Sequence, residues 1–261
     1  MFSNDVPRNV RALFLSDLHL GFRLAVSAPC ALALDYFNAE TTYLVGDTID
    51  ITRMSRVWFW SKDHQEIVDR LVALHEAGKR ILLLPGNHDP LFGRDELFLE
   101  KLSPSKAARI SEVVKPLMHL PIEETCIHET WSGKKLLVMH GDQTDNLNVR
   151  FFGIPKMGSK VFDYISVGLP NRLTLGMRNF FKLILTRPKK IETRAIDRAR
   201  QLGVDGLVMG HLHAPALLRT YDGLFVANTG DWVENATAVI ETLEGEFMLI
   251  NNGQLVETLQ V

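Results

Sequence analysis

Five short runs of apolar residues recur along the chain, and each run ends abruptly in polar residues. The runs are rich in leucine and β-branched residues: VRALFLSDLH, TTYLVGD, RILLLPGNHD, KKLLVMHGD and DGLVMGHLH. Short apolar runs bounded by polar residues are typical of strands buried in a core. The pattern therefore predicts five core strands, each followed by a polar turn.

The segment SKDHQEIVDRLVALHEAGKR, between the second and third runs, has a different periodicity. Its apolar positions fall at helical spacing, and Gly78 supplies a stop signal near its end. A strand, a helix and a strand in succession indicate an α/β fold.

The last part of the chain alternates between apolar and turn-forming stretches and contains no helical segment. After Leu217 these stretches are GLFVANTGDW, ATAVIETLEG and EFMLINNG, and Glu244 and Gly245 mark a hairpin turn. We therefore expect two packed, mixed sheets covered by helices. We expect one domain over residues 1–261, with residues 146–200 inserted between the fourth and fifth apolar runs.

Composition narrows the class of protein. The 261 residues are 46% hydrophobic and 23% charged, which is typical of a globular chain and excludes a disordered one. The two cysteines, Cys30 and Cys126, form no Cys-x-x-Cys motif, so neither a disulfide framework nor a thiolate zinc site can organise the fold. No stretch approaches the roughly 18 apolar residues of a membrane span. We expect a cytoplasmic protein.

Polar residues with metal-binding side chains stand at the carboxyl end of all five predicted strands. Asp17 and His19 stand two positions apart, so we expect their side chains to project to the same side. Open α/β sheets bind ligands in the crevice beyond these strand ends, where five runs could bring seven ligands into one pocket. The seven candidates are Asp17, His19, Asp47, Asn87, His140, His211 and His213.

These candidates offer oxygen and imidazole but no thiolate, which favours a catalytic site for divalent ions over a structural zinc site. Seven ligands suit two ions better than one, and Asp47, alone at its strand end, is the candidate for a bridging carboxylate. We expect Mn²⁺, with Fe²⁺ or Zn²⁺ as alternatives. Two such ions can activate water and bind phosphate oxygens, so the pattern predicts hydrolysis of a phosphoester or phosphoanhydride.

Residues beside these ligands are candidates for supporting roles. His88 must point elsewhere if Asn87 faces the metal, so it can contact the phosphate or protonate the leaving oxygen, with Asp89 as the candidate to orient it. We expect Asp50 and Asp142 to support the metal ligands rather than bind metal.

Two more polar residues have two alternative roles. Asn228 and Asp231, in the sequence NTGDW, either line the site and bind substrate or form a turn. The other histidines lack a strand-end context, and we expect them to be structural or exposed: His64, His75, His119 and His128.

As a set, these motifs resemble the signature of the calcineurin-like metallophosphoesterases. They are Asp17-Leu18-His19, Gly46-Asp47-Thr48-Ile49-Asp50, Gly86-Asn87-His88-Asp89, His140-Gly141-Asp142 and Gly210-His211-Leu212-His213. The resemblance implies a four-layer αββα sandwich across nearly the whole chain, with His88 as the catalytic histidine. It also implies a first metal held by Asp17, His19, Asp47 and His213, and a second held by Asp47, Asn87, His140 and His211.

Three other stretches, VWFWSKDHQEIVDRL, HGDQTDN and NTGDWVEN, are similar to one branch of this family. That branch hydrolyses UDP-2,3-diacylglucosamine in lipid A synthesis, which implies UMP and 2,3-diacylglucosamine 1-phosphate as products. The well-known enzymes of the branch typically have Gly-Asn-Arg-Asp where this chain has Gly86-Asn87-His88-Asp89, the form of the wider family.

Charge is distributed unevenly. The formal net charge is -2, but residues 150–200 contain 12 Lys or Arg, interleaved with the apolar stretches FFGIP, VFDYI and NFFKLIL. Such a cationic, amphipathic segment can lie on an anionic membrane, here the cytoplasmic face of the inner membrane. The resembling enzymes carry at this point a helical cap that receives acyl chains. The candidate substrate contacts in the segment are Arg150, Lys156, Arg178 and Lys182.

We therefore predict a dimetal phosphohydrolase that cleaves the pyrophosphate of a nucleotide-activated or lipid-linked sugar such as UDP-2,3-diacylglucosamine. The alternative in the same class is hydrolysis of another phosphodiester or a phospholipid head group, because metal motifs indicate the reaction better than the substrate. A hypothesis from another class is a non-catalytic, metal-dependent scaffold that binds a membrane or nucleic acid. The grouping of phenylalanine with leucine and isoleucine favours lipid, so we expect no nucleic-acid partner. A solvated cationic face packed on the core is the remaining alternative for the basic segment.

Overall fold

Two mixed sheets and their covering helices form the fold. The computed structural model describes residues 2–95, 97–144 and 188–261. The strands are β1 (Asn9–Leu15), β2 (Asn38–Val45), β3 (Arg80–Leu84), β4 (Thr125–Glu129), β5 (Lys135–Met139), β6 (Gly206–Met209), β7 (Ala216–Arg219), β8 (Phe225–Asn228), β9 (Thr237–Thr242), β10 (Glu246–Asn251) and β11 (Gln254–Gln260). The α-helices are α1 (Ser27–Tyr36), α2 (Ile51–Met54), α3 (Lys62–Glu76), α4 (Pro104–Val114) and α5 (Pro188–Leu202). Short 3-10 helices occupy Leu99–Lys101, Lys115–His119 and Asp142–Thr144.

The six-stranded sheet has the order β11-β10-β9-β1-β2-β3, and the five-stranded sheet has the order β4-β5-β6-β8-β7. In the first sheet β1, β2 and β3 are parallel, and β9 pairs antiparallel with β1. In the second, β5, β6 and β8 are parallel between the antiparallel edge strands β4 and β7. All five predicted core strands are present, as β1, β2, β3, β5 and β6.

The central strands are buried on both faces, which explains why their sequences are continuously apolar. In β1, Leu13 and Leu15 pack in the cluster with α1 and α3, whereas Phe14 lies in the cluster between the sheets. In β5, Val138 lies between the sheets, whereas Met139 packs in the cluster with α5. The layers are therefore helix, sheet, sheet and helix, which confirms the predicted αββα sandwich.

Helix α3 shows how local sequence signals and packing agree. It begins after Ser61, whose side chain accepts a hydrogen bond from the His64 backbone N–H at 3.2 Å and so caps the helix. Its buried face carries Ile67, Val68 and Leu71, and Gly78 follows its end with φ +83°, a value that favours glycine.

Helix α5 contains the last residues of the predicted 146–200 insertion. Its residues Ile191, Ala195 and Ala199 are buried in the cluster that covers β5 and β6, so the last part of the 146–200 segment belongs to the outer helical layer. Small residues at helical spacing allow this close packing. Residues 145–187, including the candidates Arg150, Lys156, Arg178 and Lys182, lie outside the described residues. Among the described residues, no helix is long and apolar enough to cross a membrane.

Candidate metal centre

Five of the seven predicted ligands come together beyond the carboxyl ends of the parallel strands: Asp17, His19, Asp47, His140 and His213. The His211 ring also lies close, with its centroid 5.1 Å from that of His140. The seven predicted ligands follow β1, β2, β3, β5 and β6 in the sequence. Three combinations of ligand atoms lie within 4.8 Å of one another: Asp17, His19 and His213; Asp17, Asp47 and His140; and His19, Asp47 and His88.

Left-handed backbone conformations bring several of these ligands inward. Asp17, His19, Asp47, His211 and His213 all have positive φ, from 47° to 67°. Non-glycine residues rarely adopt this region, and those that do cluster at functional sites. Asp17 and His19 do come together, with His19 Nε2 at 3.7 Å from Asp17 Oδ1, but through these turns rather than through the alternation of an extended strand.

Two glycines permit the close approach of the ligand turns. A Cβ on Gly86 would lie 2.1 Å from Asp47 Oδ1, and a Cβ on Gly46 would lie 2.2 Å from His140 Nδ1. Neither contact is sterically possible, so glycine is required before Asp47 and before Asn87.

Backbone amides hold the two carboxylates. Asp17 Oδ2 accepts a hydrogen bond from the His211 N–H at 2.9 Å, and Asp47 Oδ1 accepts one from the His88 N–H at 2.8 Å. The other oxygen of Asp47, Oδ2, lies 3.7 Å from His19 Nε2 and 3.4 Å from His140 Nε2. Asp47 therefore stands between the two groups of ligands, where a bridging carboxylate is needed.

Three histidines have an oxygen atom close to Nδ1, and His140 makes a hydrogen bond there. His140 Nδ1 lies 2.9 Å from the Val45 carbonyl oxygen, His19 Nδ1 lies 3.3 Å from Asp50 Oδ2, and His213 Nδ1 lies 3.5 Å from Asp231 Oδ1. A carbonyl or carboxylate at one ring nitrogen is the usual support for a histidine that binds metal through the other. The arrangement leaves Nε2 of each ring for the centre of the site.

Four ligand atoms at this centre are buried and have no hydrogen-bond partner. These are Asp17 Oδ1, His19 Nε2, Asn87 Oδ1 and His140 Nε2. Buried polar atoms are nearly always hydrogen-bonded, so such a group of unpartnered atoms is unusual. Oxygen and imidazole nitrogen at these positions are the ligands that divalent ions prefer, and the described residues therefore fit such ions.

Charges in the site shift several pKa values. Burial raises the pKa of Asp47, but the neighbouring His140 and His88 outweigh it and hold the pKa well below its usual value. Burial lowers the pKa of His140, but Asp47 and Asp17 outweigh it and raise the pKa to about 10. A cation is thus strongly favoured between these carboxylates, and a bound metal ion would take the place of the imidazole proton.

His88 is more exposed than His213 and His140. Its side chain is 32% exposed, against 9% for that of His213 and 0% for that of His140. Its Nδ1 lies 2.6 Å from Asp50 Oδ1. Burial opposes its charge, but Asp50 and then Asp47 raise the pKa of His88 to about 10.

The carboxylate that orients His88 is Asp50. The sequence suggested Asp89 for this role, and that prediction is wrong. Asp89 instead accepts hydrogen bonds from the backbone N–H groups of Thr48, Ile49 and Gly86, at 3.0, 2.9 and 3.2 Å. Asp89 therefore ties the turn after β3 to the turn after β2. Its own pKa is raised to about 7, by burial and then by Asp47.

Asn228 and Asp231 are both buried beside the site and make the contacts of a turn. Asn228 Oδ1 accepts a hydrogen bond from the Gly230 N–H at 3.0 Å, and Asp231 Oδ1 accepts one from the Val233 N–H at 2.8 Å. Because Asp231 also lies against His213, its place in the structure is behind a candidate metal ligand.

Comparisons with known proteins agree with this geometry. The family model described as calcineurin-like phosphoesterase matches residues 10–215. A UDP-2,3-diacylglucosamine hydrolase of Pseudomonas savastanoi pv. phaseolicola is 27% identical over 215 residues, which are 75% of this chain and 76% of that protein. A protein of the same name from Pseudomonas syringae pv. syringae is 26% identical over 243 residues, 84% of this chain and 87% of its own length.

A solved structure supports the fold alone. A hypothetical protein from Pyrococcus horikoshii OT3 has a TM-score of 0.50 at 13% identity and covers 93% of this chain and 87% of its own. The family match is the stronger finding, because it spans most of the chain and includes every candidate ligand. The chain belongs to the calcineurin-like phosphoesterase family and is a metal-dependent phosphoester hydrolase.

Proposed function

We propose that this protein hydrolyses the pyrophosphate bond of UDP-2,3-diacylglucosamine to UMP and 2,3-diacylglucosamine 1-phosphate. The observation that carries the reaction class is the convergence of four buried, unpartnered ligand atoms at the carboxyl ends of the strands. The substrate is supported by the two relatives of that name, each similar over at least three quarters of this chain.

Two divalent ions are part of the proposal, with Mn²⁺ first and Fe²⁺ or Zn²⁺ as alternatives. One ion would be held by Asp17, His19, Asp47 and His213, and the other by Asp47, Asn87, His140 and His211. When bound, such ions supply positive charge for phosphate oxygens and for the activation of water. The backbone amides on Asp17 and Asp47 and the Val45 carbonyl oxygen at Nδ1 of His140 keep these ligands in place.

His88 is the proposed catalytic residue. In the metal-free protein Asp50 and Asp47 raise the pKa of His88 to about 10, so there it carries a proton at neutral pH, and its partly exposed ring can reach a substrate at the mouth of the site. It would donate that proton or a hydrogen bond to a phosphate or leaving-group oxygen, while Asp50 holds its Nδ1. We expect His88→Ala to lower kcat by roughly 10² to 10⁴-fold and to leave metal binding intact. If the protein were a scaffold that only binds a partner, His88→Ala would not change its function.

The basic segment enters the proposal as the acyl-binding part of the protein. Residues 150–190 would receive the acyl chains and contact anionic lipid on the cytoplasmic face of the inner membrane, on the grounds of their sequence. Binding to vesicles containing an anionic lipid, competed with single-stranded DNA, tests this. Preference for DNA would contradict the lipid assignment.

The experiment that tests the substrate uses Mn²⁺-loaded protein with three compounds: UDP-2,3-diacylglucosamine, the unacylated UDP-sugar and a chromogenic phosphodiester. We expect strong preference for the acylated compound, with UMP identified by mass. Turnover of the chromogenic compound alone would contradict the proposed substrate and leave the reaction class standing. No turnover of any of them would contradict the reaction class.

A second candidate is hydrolysis of another phosphodiester or a phospholipid head group. It is favoured by the histidine at position 88, where the well-known enzymes that hydrolyse UDP-2,3-diacylglucosamine typically have arginine. A panel of phospholipids in the same assay distinguishes the two candidates.

A further inference from the structure

Arg94 joins three segments that are distant in sequence. Its NH1 group donates to Asp142 Oδ2, its NH2 group donates to Asp142 Oδ1 at 3.3 Å and to Glu124 Oε1 at 2.8 Å, and its Nε donates to Glu124 Oε2 at 3.2 Å. Asp142 follows His140 by two residues, and Glu124 immediately precedes β4. One guanidinium therefore holds two carboxylates in forked, charge-assisted pairs.

On one side, Arg94 belongs to the turn that carries Asn87. Within this turn the Phe92 N–H donates to the Asp89 carbonyl oxygen at 3.1 Å, and the Arg94 N–H donates to the Pro90 carbonyl oxygen at 3.2 Å. Phe92 is fully buried, and the side chain of Asp89 is bound by three backbone amides. The turn is thus a stiff connection between the guanidinium and Asn87.

On the other side, its partners hold the turn that follows His140. The Gly141 N–H donates to Gln143 Oε1 at 2.9 Å, and Gln143 Nε2 donates to Glu124 Oε1 at 3.1 Å. The Thr144 hydroxyl donates to the Gly141 carbonyl oxygen at 2.8 Å. Glu124 thus holds both Arg94 and the turn after His140.

The guanidinium is not placed to bind substrate. Its side chain is 18% exposed, and its N–H groups make four hydrogen bonds to the two carboxylates out of five that the group can donate. An arginine used in this way fixes geometry between protein segments.

We propose that Arg94 is a positioning residue that sets the distance between Asn87 and His140, and so the affinity for the second divalent ion. The inference rests on the proposed two-ion site and adds a residue that contacts neither ion. The two ions would share only Asp47, and the other ligands of the first ion, Asp17, His19 and His213, lie on turns to which the Arg94 side chain makes no hydrogen bond.

The test measures metal binding rather than activity. Full-length, metal-free protein is titrated with Mn²⁺ by calorimetry, and the bound ions are counted by electron paramagnetic resonance. We expect Arg94→Met to weaken the affinity for the second ion by about 10 to 100-fold and to leave the affinity for the first ion unchanged. Arg94→Lys keeps the charge but cannot hold both carboxylates by forked pairs, so it should restore only part of the affinity.

Arg200 provides a matched control, because it also binds two carboxylates through a fork. It donates to Asp222 from Nε at 2.9 Å and from NH2 at 3.0 Å, and to Asp197 from NH1 at 3.0 Å, on the surface near the start of β8. Arg200→Met should leave both metal affinities unchanged. Asp142→Asn should reproduce the effect of Arg94→Met, and the double variant should be little worse than either single variant because both act through one pair.

Three results would overturn the inference. Wild-type affinity for both ions in Arg94→Met would show that the fork has no effect on the site. An equal loss of affinity for both ions, in either Arg94 variant, would show that Arg94 only supports the fold in general. Loss of the urea unfolding transition in both Arg94 variants would show the same. Failure of the wild-type protein to bind two ions would instead contradict the proposed function, so the two failures are distinguishable.

Discussion

Two regions between the sheets contain buried histidines and carboxylates, and they differ in how their polar atoms are satisfied. At the metal end, four ligand atoms have no hydrogen-bond partner. Toward the opposite end, His128 Nε2 lies 2.8 Å from Glu241 Oε2, and its Nδ1 lies 3.1 Å from the Tyr43 hydroxyl. Glu241 Oε1 accepts a hydrogen bond from the Trp131 N–H at 2.7 Å, and Arg11 Nε donates to Oε2 at 3.4 Å.

The backbones of the two regions differ in the same sense. His128, Glu241 and Tyr43 lie within strands β4, β9 and β2, in ordinary extended conformation. Five ligands at the metal end lie in turns with positive φ. A buried network that satisfies itself connects and stabilises the sheets, whereas unpartnered atoms on strained turns indicate a site completed by a ligand. The residue types alone do not distinguish these two cases.

The largest expected effect is that of removing the carboxylate between the two groups of ligands. Asp47→Asn should lower kcat for phosphodiester hydrolysis by roughly 10³-fold or more, because both ions would lose a charged ligand. Titration with Mn²⁺ should show fewer than two ions bound. Asp35→Asn, an exposed carboxylate paired with Arg70, is the control and should retain both properties. Activity of Asp47→Asn within tenfold of wild type would contradict the assignment.

The matching change at the opposite end should affect stability instead. Glu241→Gln removes a buried charge from His128 and Arg11 and should lower the free energy of unfolding by about 2 to 4 kcal/mol, measured with urea on metal-free protein. The exposed Glu129, changed to Gln, provides the control. Mn²⁺ affinity should not change in either variant. If Glu241→Gln loses metal binding at normal stability, the contrast between the two regions does not hold.

Sequence patterns predict the strands that are buried on both faces but not the exposed edge strands β4 and β11. β1, β2, β3, β5 and β6 are buried on both faces, so burial alone makes their sequences continuously apolar. The edge strand β4 has the sequence TCIHE, in which only His128 is buried, and β11 is largely exposed. These two edge strands bury too few side chains to leave a strong apolar signal, so their pairing depends on the rest of the fold, whereas the edge strand β3 is buried and carries that signal.

The site shows a similar division. The seven ligands follow from the polar residues at the strand ends, but their left-handed conformations do not, because these depend on contacts such as the close packing of Gly86 on Asp47. The partner of His88 also depends on tertiary structure. Asp89 is its neighbour in sequence, but the turn directs that carboxylate to backbone amides, and Asp50 arrives from the end of another strand.

His64 extends the comparison to a buried histidine that is satisfied near the metal end. Its Nδ1 accepts a hydrogen bond from the Gly21 N–H at 3.0 Å, and burial lowers its pKa from 6.5 to about 4 despite the opposing charge of Asp63. The unfolded chain therefore takes up the proton first as pH falls, and the fold loses stability between pH 6.5 and about 4. The loss should reach about 2 to 3 kcal/mol.

Urea unfolding of metal-free protein at several pH values measures this loss. His64→Gln keeps an acceptor but cannot titrate, so its stability should depend less on pH over this interval. The exposed His119, changed to Gln, should keep the wild-type dependence. Identical pH dependence in the wild type and His64→Gln would show that His64 does not carry the effect.

The smallest expected effect concerns the protons that metal ions displace from histidines at the metal end. Asp47 and Asp17 raise the pKa of His140 to about 10 against the effect of burial, so in the metal-free protein this histidine holds a proton throughout the neutral range. The ion that His140 would hold must displace this proton to bind, and the affinity for that ion should therefore increase with pH between 6 and 9, by at most about tenfold per unit for each proton released. Calorimetric titration with Mn²⁺ in two buffers of different ionisation enthalpy counts the protons released. The Glu241→Gln variant should release as many protons as the wild type. Its altered partner, His128, lies in the internally hydrogen-bonded network and is not part of the metal site. A metal affinity independent of pH would mean that the imidazoles at the metal end are already neutral, and the contrast in charge between the two regions would then be wrong.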